Sequence, residues 1–116
     1  MTTPYLVKVI NNTWVRIINP DYNQMVKLVK VVPSPIVSKK YRAVFDDNTH
    51  TDFGDANYSD FRIHQDPKRK AQYIARHEKS ENWNDPKSAG ALSRWILWNK
   101  PTLTASISDY KKRFNL

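Results

Sequence analysis

The apolar residues of this chain change period about half-way along, and this limits its folds more than any other feature. Up to residue 54 they alternate, or run in short β-branched blocks. "YLVKVI" (5–10), "WVRII" (14–18), "MVKLVKVV" (25–32) and "KYRAVF" (40–45) read as strands, separated by turn signals such as "NNT" and "NPDYNQ". "KYRAVF", "DDNT" and "HTDFG" (50–54) together read as a hairpin. Its first strand puts Tyr41, Ala43 and Phe45 on one face and Lys40, Arg42 and Val44 on the other. "PSP" (33–35) suits neither a helix nor a central strand, so a linker or a change of sheet is expected there.

The second half follows the helical period. Asp66-Pro67 is a helix start, because the carboxylate caps free N–H groups and proline fits the first helical position. The spacing predicts a helix over 66–79, docked by a stripe of Tyr73, Ile74 and His77. Asp85-Pro86 repeats the signal and predicts a second helix over 86–98, with Gly90 and Ala91 leaving room for a close neighbour. Thr102 caps a third, over 103–114, whose Leu103, Ile107, Tyr110 and Phe114 step by 4, 3 and 4. Leu92, Trp95 and Ile96 should join that stripe in one core.

Strands followed by helices make the fold class α+β: N-terminal antiparallel strands or hairpins, then a three-helix C-terminal half. The expected organisation is a strand-rich arm or subdomain over residues 1–38 and a basic hairpin-plus-three-helix domain over 39–116. A length of 116 residues suits one domain with an arm. The absence of cysteine excludes disulfides, zinc ribbons and thiol catalysis. Two glycines in the whole chain are too few for a glycine-rich phosphate loop. No apolar run approaches the length of a membrane span, so a soluble protein is expected.

The net charge is +8, and it is uneven. Residues 1–60 carry +1 and residues 61–116 carry +7, which points the second half at a polyanionic partner. The candidate contacts are Lys68, Arg69, Lys70, Arg76 and Lys79 on the first helix, with Lys87, Arg94, Lys111, Lys112 and Arg113 beyond it. Such side chains neutralise phosphates and bind duplex DNA without reading its sequence. Trp83 lies in the polar stretch "SENWNDP", where a ring either stacks on a base or partner, or pins a loop to the core. Trp98 is the other candidate for such a contact. It cannot point the same way as Trp95, so the second helix must be covered on two sides, by the N-terminal strands or by another protein.

Asp52, Asp55, Asp60, His64, Asp66, His77 and Glu81 form the one cluster a metal-dependent nuclease would draw on. They match no metal-binding spacing, and several have structural explanations as caps or turn residues. No catalytic residue, metal or cofactor is therefore expected.

"FG" (53–54), "YSDF" (58–61), "HQD" (64–66), "KRKAQYIARH" (68–77), "ENW" (81–83), "AGALSRWILWNKPT" (89–102) and "YKKRF" (110–114) occur in this order. In these motifs residues 39–116 resemble a family of short, basic, largely uncharacterised proteins of nucleocytoplasmic large DNA viruses. The resemblance implies a viral protein, in the virion, in the host cell interior (cytoplasm or viral factory), or in both. It implies no biochemical activity and supplies no catalytic residue. The expectation is a non-enzymatic protein that binds nucleic acid, DNA foremost, without strong sequence specificity. The alternatives are a minor capsid or cementing protein meeting acidic viral structural proteins, and a metal-dependent nuclease.

Overall fold

The computed structural model describes residues 26–116. The strands expected at 5–10 and 14–18 lie outside the described residues. The fold is α+β: an antiparallel sheet followed by a helical C-terminal region. The sheet has three strands in the order β1 (Leu28–Pro33), β2 (Lys39–Phe45) and β3 (His50–Asp55). β1 and β2 are antiparallel, with Val31 opposite Ala43 and Pro33 opposite Tyr41, and a bulge interrupts the register between Leu28 and Lys30. "PSP" therefore opens the connection between two paired strands and does not mark a change of sheet. Proline is tolerated at the very end of β1, where the ladder stops. The three strands form one sheet.

β2 and β3 form the expected hairpin, with Tyr41 opposite Phe53 and Ala43 opposite Thr51. Asn48 turns the chain in the left-handed region (φ 69°). Asp47 fixes that turn by accepting from the Thr49 N–H (3.1 Å) and hydroxyl (2.6 Å). One face of the sheet buries Leu28, Ala43, Phe45 and Phe53 against Leu92, Ile96, Leu97 and Tyr110. Trp95, Leu103, Ile107 and Phe114 pack on this core while partly exposed.

The helical region begins with a one-turn helix absent from the sequence reading, α1 (Phe61–His64). Asp60 caps it, accepting from the Arg62 N–H, and Gln65 ends it in the left-handed region. Helix α2 (Pro67–His77) starts at the expected Asp66, which accepts from the N–H groups of Lys68 (2.9 Å) and Arg69 (3.4 Å). Helix α4 (Leu103–Phe114) has the expected bounds and the expected Thr102 cap.

The helix expected over 86–98 is shorter and irregular. Asp85 does not cap it: its carboxylate accepts from the Lys87 N–H (3.2 Å) in a turn. Ser88 is the cap, and α3 (Ala89–Leu92) gives way to a π-helical turn over Ser93–Leu97. The Trp98 N–H closes that turn on the Ser93 carbonyl, five residues back (3.0 Å). Ile96 and Leu97 are buried, and Trp98 stacks on Tyr73 of α2 (4.3 Å, 6°). The second side of this helix is thus covered within the described residues, by α2 and by β3, where Leu97 meets Gly54.

Candidate functional site

Amphipathic geometry divides α2. Tyr73 is buried and Ile74 and His77 are half-buried. On the adjoining arc, Lys68, Gln72, Arg76 and Arg69 fall within about 100° of the helical wheel, at 100° per residue, and Lys79 follows in the turn after the helix. All five are exposed. Among the described residues, these four cations have no acidic partner within ion-pair distance. Lys111 and Lys112 of α4 are likewise exposed and unpaired.

The other four cations expected to hold phosphate are engaged by groups of the protein itself, Arg113 while exposed. The Lys70 ammonium donates to the Asn99 carbonyl (2.7 Å) and sits over the Phe61 ring (4.8 Å). Burial, with Arg94 and Lys100 nearby, lowers its pKa. Lys87 pairs with Asp47 (2.7 Å) and lies over Phe45. Arg94 donates to the Trp98 carbonyl (2.9 Å), and burial beside Arg113 lowers its pKa too. The guanidinium carbons of Arg94 and Arg113 lie 4.0 and 3.6 Å from the Trp95 ring centroid. Two groups so close to one ring must take opposite faces, so Trp95 is held between two cations. Arg113 also meets Asp109 (3.4 Å).

The tryptophans follow the same pattern. Trp83 folds back: its indole N–H donates to Glu81 (2.8 Å), with Arg94 over the ring (5.6 Å). Trp98 belongs to a stack. Tyr73 has Trp98 against one face and His77 against the other (4.4 Å, 28°), and His64 tilts toward Trp98 (5.3 Å). Burial pushes the Tyr73 phenol above its ordinary range, with a smaller push from Glu81.

Of the acidic and histidine side chains grouped in the sequence, Asp55, Asp60, His77 and Glu81 line one cleft, and Asp52, His64 and Asp66 lie outside it. Asp52 forms a two-pronged pair with Arg42 (2.9 and 3.0 Å) and accepts from Ser34. Arg42 foremost holds it below the usual carboxylate range. Asp55 accepts from the Asn57 N–H (2.9 Å), and Asp66 is a cap. His64 Nδ1 accepts from the Asp66 N–H (3.0 Å), which places its proton on Nε2. Asp60 is fully buried and accepts from Lys40 (2.6 Å) and Arg62 (3.0 Å). His77 and Glu81 pair side chain to side chain: His77 Nδ1 lies 2.9 Å from Glu81 Oε2. No group of three or more metal-ligating side chains forms among the described residues.

The assembled feature is a cleft of about 610 Å³ between the sheet and α2. Arg69, Gln72, Tyr73, Arg76 and His77 form its α2 wall, and Lys39, Lys40 and Gly54 its sheet wall. Glu81, Gly90, Ser93, Leu97 and Trp98 close the far side. Both glycines of the chain line it, and each permits a close approach. A Cβ at Gly90 would sit 2.9 Å from Glu81 Oε1, and one at Gly54 (φ 83°) 2.7 Å from Leu97. Lys39 is exposed and has no acidic partner among the described residues, so cations flank the mouth from both walls. Sequence reasoning missed Lys39 and both glycines as site residues, because the strand and helix that meet here are about thirty residues apart in the chain.

Residues 29–77 match the model of a family of unknown function (DUF5754). This segment is similar to that family. It runs from β1 through α2, and so begins ten residues before the resemblance read from the sequence. The family's description names no activity. No curated protein and no solved structure matches the chain.

Proposed function

We propose that this protein binds nucleic acid, DNA foremost, through the phosphate backbone and without strong sequence preference. The observation that carries this reading is the basic face of α2 and the turn after it, where Lys68, Arg69, Arg76 and, in the turn, Lys79 are exposed and lack acidic partners among the described residues. An unpaired cation gives its whole charge to a phosphate and displaces a condensed counterion. A cation already paired, such as Lys87 with Asp47, must first give up its partner. Gln72 is the one uncharged polar side chain on this face, so base-edge readout is limited. In this reading His77 and Glu81 position α2 and its neighbours and carry no reaction. A sequence-blind contact suits coating or packaging of a genome in a particle or a viral factory.

A salt titration of duplex DNA binding tests the proposal. Affinity should fall with a log–log slope of about −0.9 per phosphate neutralised. Arg69→Ala/Arg76→Ala should make the slope shallower by up to about two units and weaken all sequences alike. Lys87→Ala should change it little. Absence of DNA binding at low salt, with binding to acidic shell proteins instead, would replace this reading with that of a cementing protein.

A further inference from the structure

The cleft combines three properties: cations at its mouth, an aromatic wall, and enough room for a small planar group. Its volume of about 610 Å³ lies inside the range of small-ligand sites, roughly 300–1,000 Å³. Resting on the reading above, we infer that the cleft receives one unpaired nucleotide of a bound single strand. Its base lies against the Trp98–Tyr73–His77 wall, and its phosphate lies between Lys39 on the sheet side and Arg69 and Arg76 on the helix side.

The flat part of the ligand follows from the wall. Tyr73 is buried and covered on both faces, so it braces the two half-buried rings, Trp98 and His77, that offer aromatic surface to the cleft. Bases stack on or abut such surfaces without regard to sequence. In a duplex the bases are stacked on each other and offer only their groove edges, so a base can enter only from an unpaired strand. The anionic part follows from the mouth. Asp55 is the acidic side chain at the rim, and its carboxylate is turned to the Asn57 N–H. Glu81 is held by His77 and Trp83, and Asp60 by Lys40 and Arg62. Every other carboxylate of the lining is thus occupied, and Lys39, Arg69 and Arg76 set the sign of the entrance.

The test compares three labelled oligonucleotides of equal length at matched salt by fluorescence anisotropy: a mixed-sequence single strand, its duplex, and an abasic strand with the same phosphates. The single strand should bind about tenfold or more tighter than the other two, from the base contact. Ala89→Phe and Ala89→Trp, at an exposed position of the lining outside α2, fill the cleft without removing a cation. Each should erase the single-strand preference and leave duplex affinity unchanged, with thermal melts confirming the fold. Equal binding of all three probes by the natural protein would overturn the cleft assignment and leave the basic-face reading intact. Loss of duplex binding along with single-strand binding in both folded cleft variants would also overturn it. No binding of any probe at low salt would overturn both.

Discussion

Asp60 shows how much one side chain can organise. It has no exposed surface, caps α1 through its side chain, and faces two cations whose own side chains are only 12% and 19% exposed. In the sequence it stood among carboxylates that a nuclease would use. Its partner Lys40 is twenty residues away, so the pairing left no local signal. Removing the carboxylate would strand two cations in a site that excludes water. Asp60→Ala should therefore destabilise the protein by about 3–5 kcal/mol, read as a shift in the urea midpoint. Asp47 makes a different prediction. The Lys87 ammonium first, and the Thr49 hydroxyl next, lower its pKa from 3.8 to about 2. A carboxylate that is more acidic in the folded state gives stability that is fully present above its unfolded pKa. That stability is lost as pH falls toward the folded value. Melting temperature should drop on acidification from about pH 5 to pH 2, and Asp47→Asn should drop less over that window than the natural protein.

At the scale of elements, the sequence carried the hairpin, α2 and α4 because each has a signal of its own. A period of two with a "DDNT" turn gives the hairpin, Asp66-Pro67 opens α2, and the 4-3-4 spacing with Thr102 gives α4. What it did not carry has physical reasons. A helix of four residues, as α1 is, is too short to show a period. Asp85-Pro86 and Asp66-Pro67 are the same dipeptide signal, but only the second is followed directly by a helix; at the first, the chain makes a turn and Ser88 takes the cap. The π-turn adds one residue without disturbing the run of apolar side chains, so "RWILW" reads as regular helix. That extra residue lets four consecutive large side chains find separate surroundings. Two enter the core, Trp95 lies between arginines, and Trp98 reaches α2. The burial difference sets the expected costs of truncation. Ile96→Ala, at a fully buried position in the π-turn, should cost about 2–5 kcal/mol, and the half-buried Ile107→Ala in α4 should fall at or below the low end of that range. Chemical denaturation of the two variants side by side would check the order.

Across the molecule, charge is sorted by use. Cations with carboxylate partners or aromatic faces hold elements together: Lys40, Arg42, Arg62, Lys87, Arg94 and Arg113. Among the described residues, the cations on α2 and in the turn after it, at Lys39 and at Lys111 and Lys112 of α4 are exposed and have no acidic partner. A list of basic residues cannot make that division, because it depends on which carboxylate the fold brings near. Of the ten cations it named, Lys68, Arg69, Arg76, Lys79, Lys111 and Lys112 are exposed, Lys70, Lys87 and Arg94 are half-buried against groups of the protein, and Arg113 is exposed while lying over Trp95. The same sorting bears on catalysis. With Asp52, Asp55, Asp60, Asp66 and Glu81 each held by a structural partner, the protein should not cleave DNA or RNA when magnesium or manganese is added, and His77→Ala should leave duplex binding largely unchanged. A metal-dependent cleavage activity that disappears in His77→Ala would refute the non-enzymatic reading.

The cleft also has a seam. The sheet wall and the α2 wall come from the segment that matches the family, residues 29–77, while Glu81, Gly90, Ser93, Leu97 and Trp98 come from beyond it. A relative that shared only the first segment and continued differently would inherit the basic helix, Tyr73 and His77 without Trp98 and the far side. The two binding modes proposed for this protein are thus separable by recombination. Backbone contact travels with the first segment, whereas accommodation of a base requires both and can be gained or lost by exchanging a single downstream module.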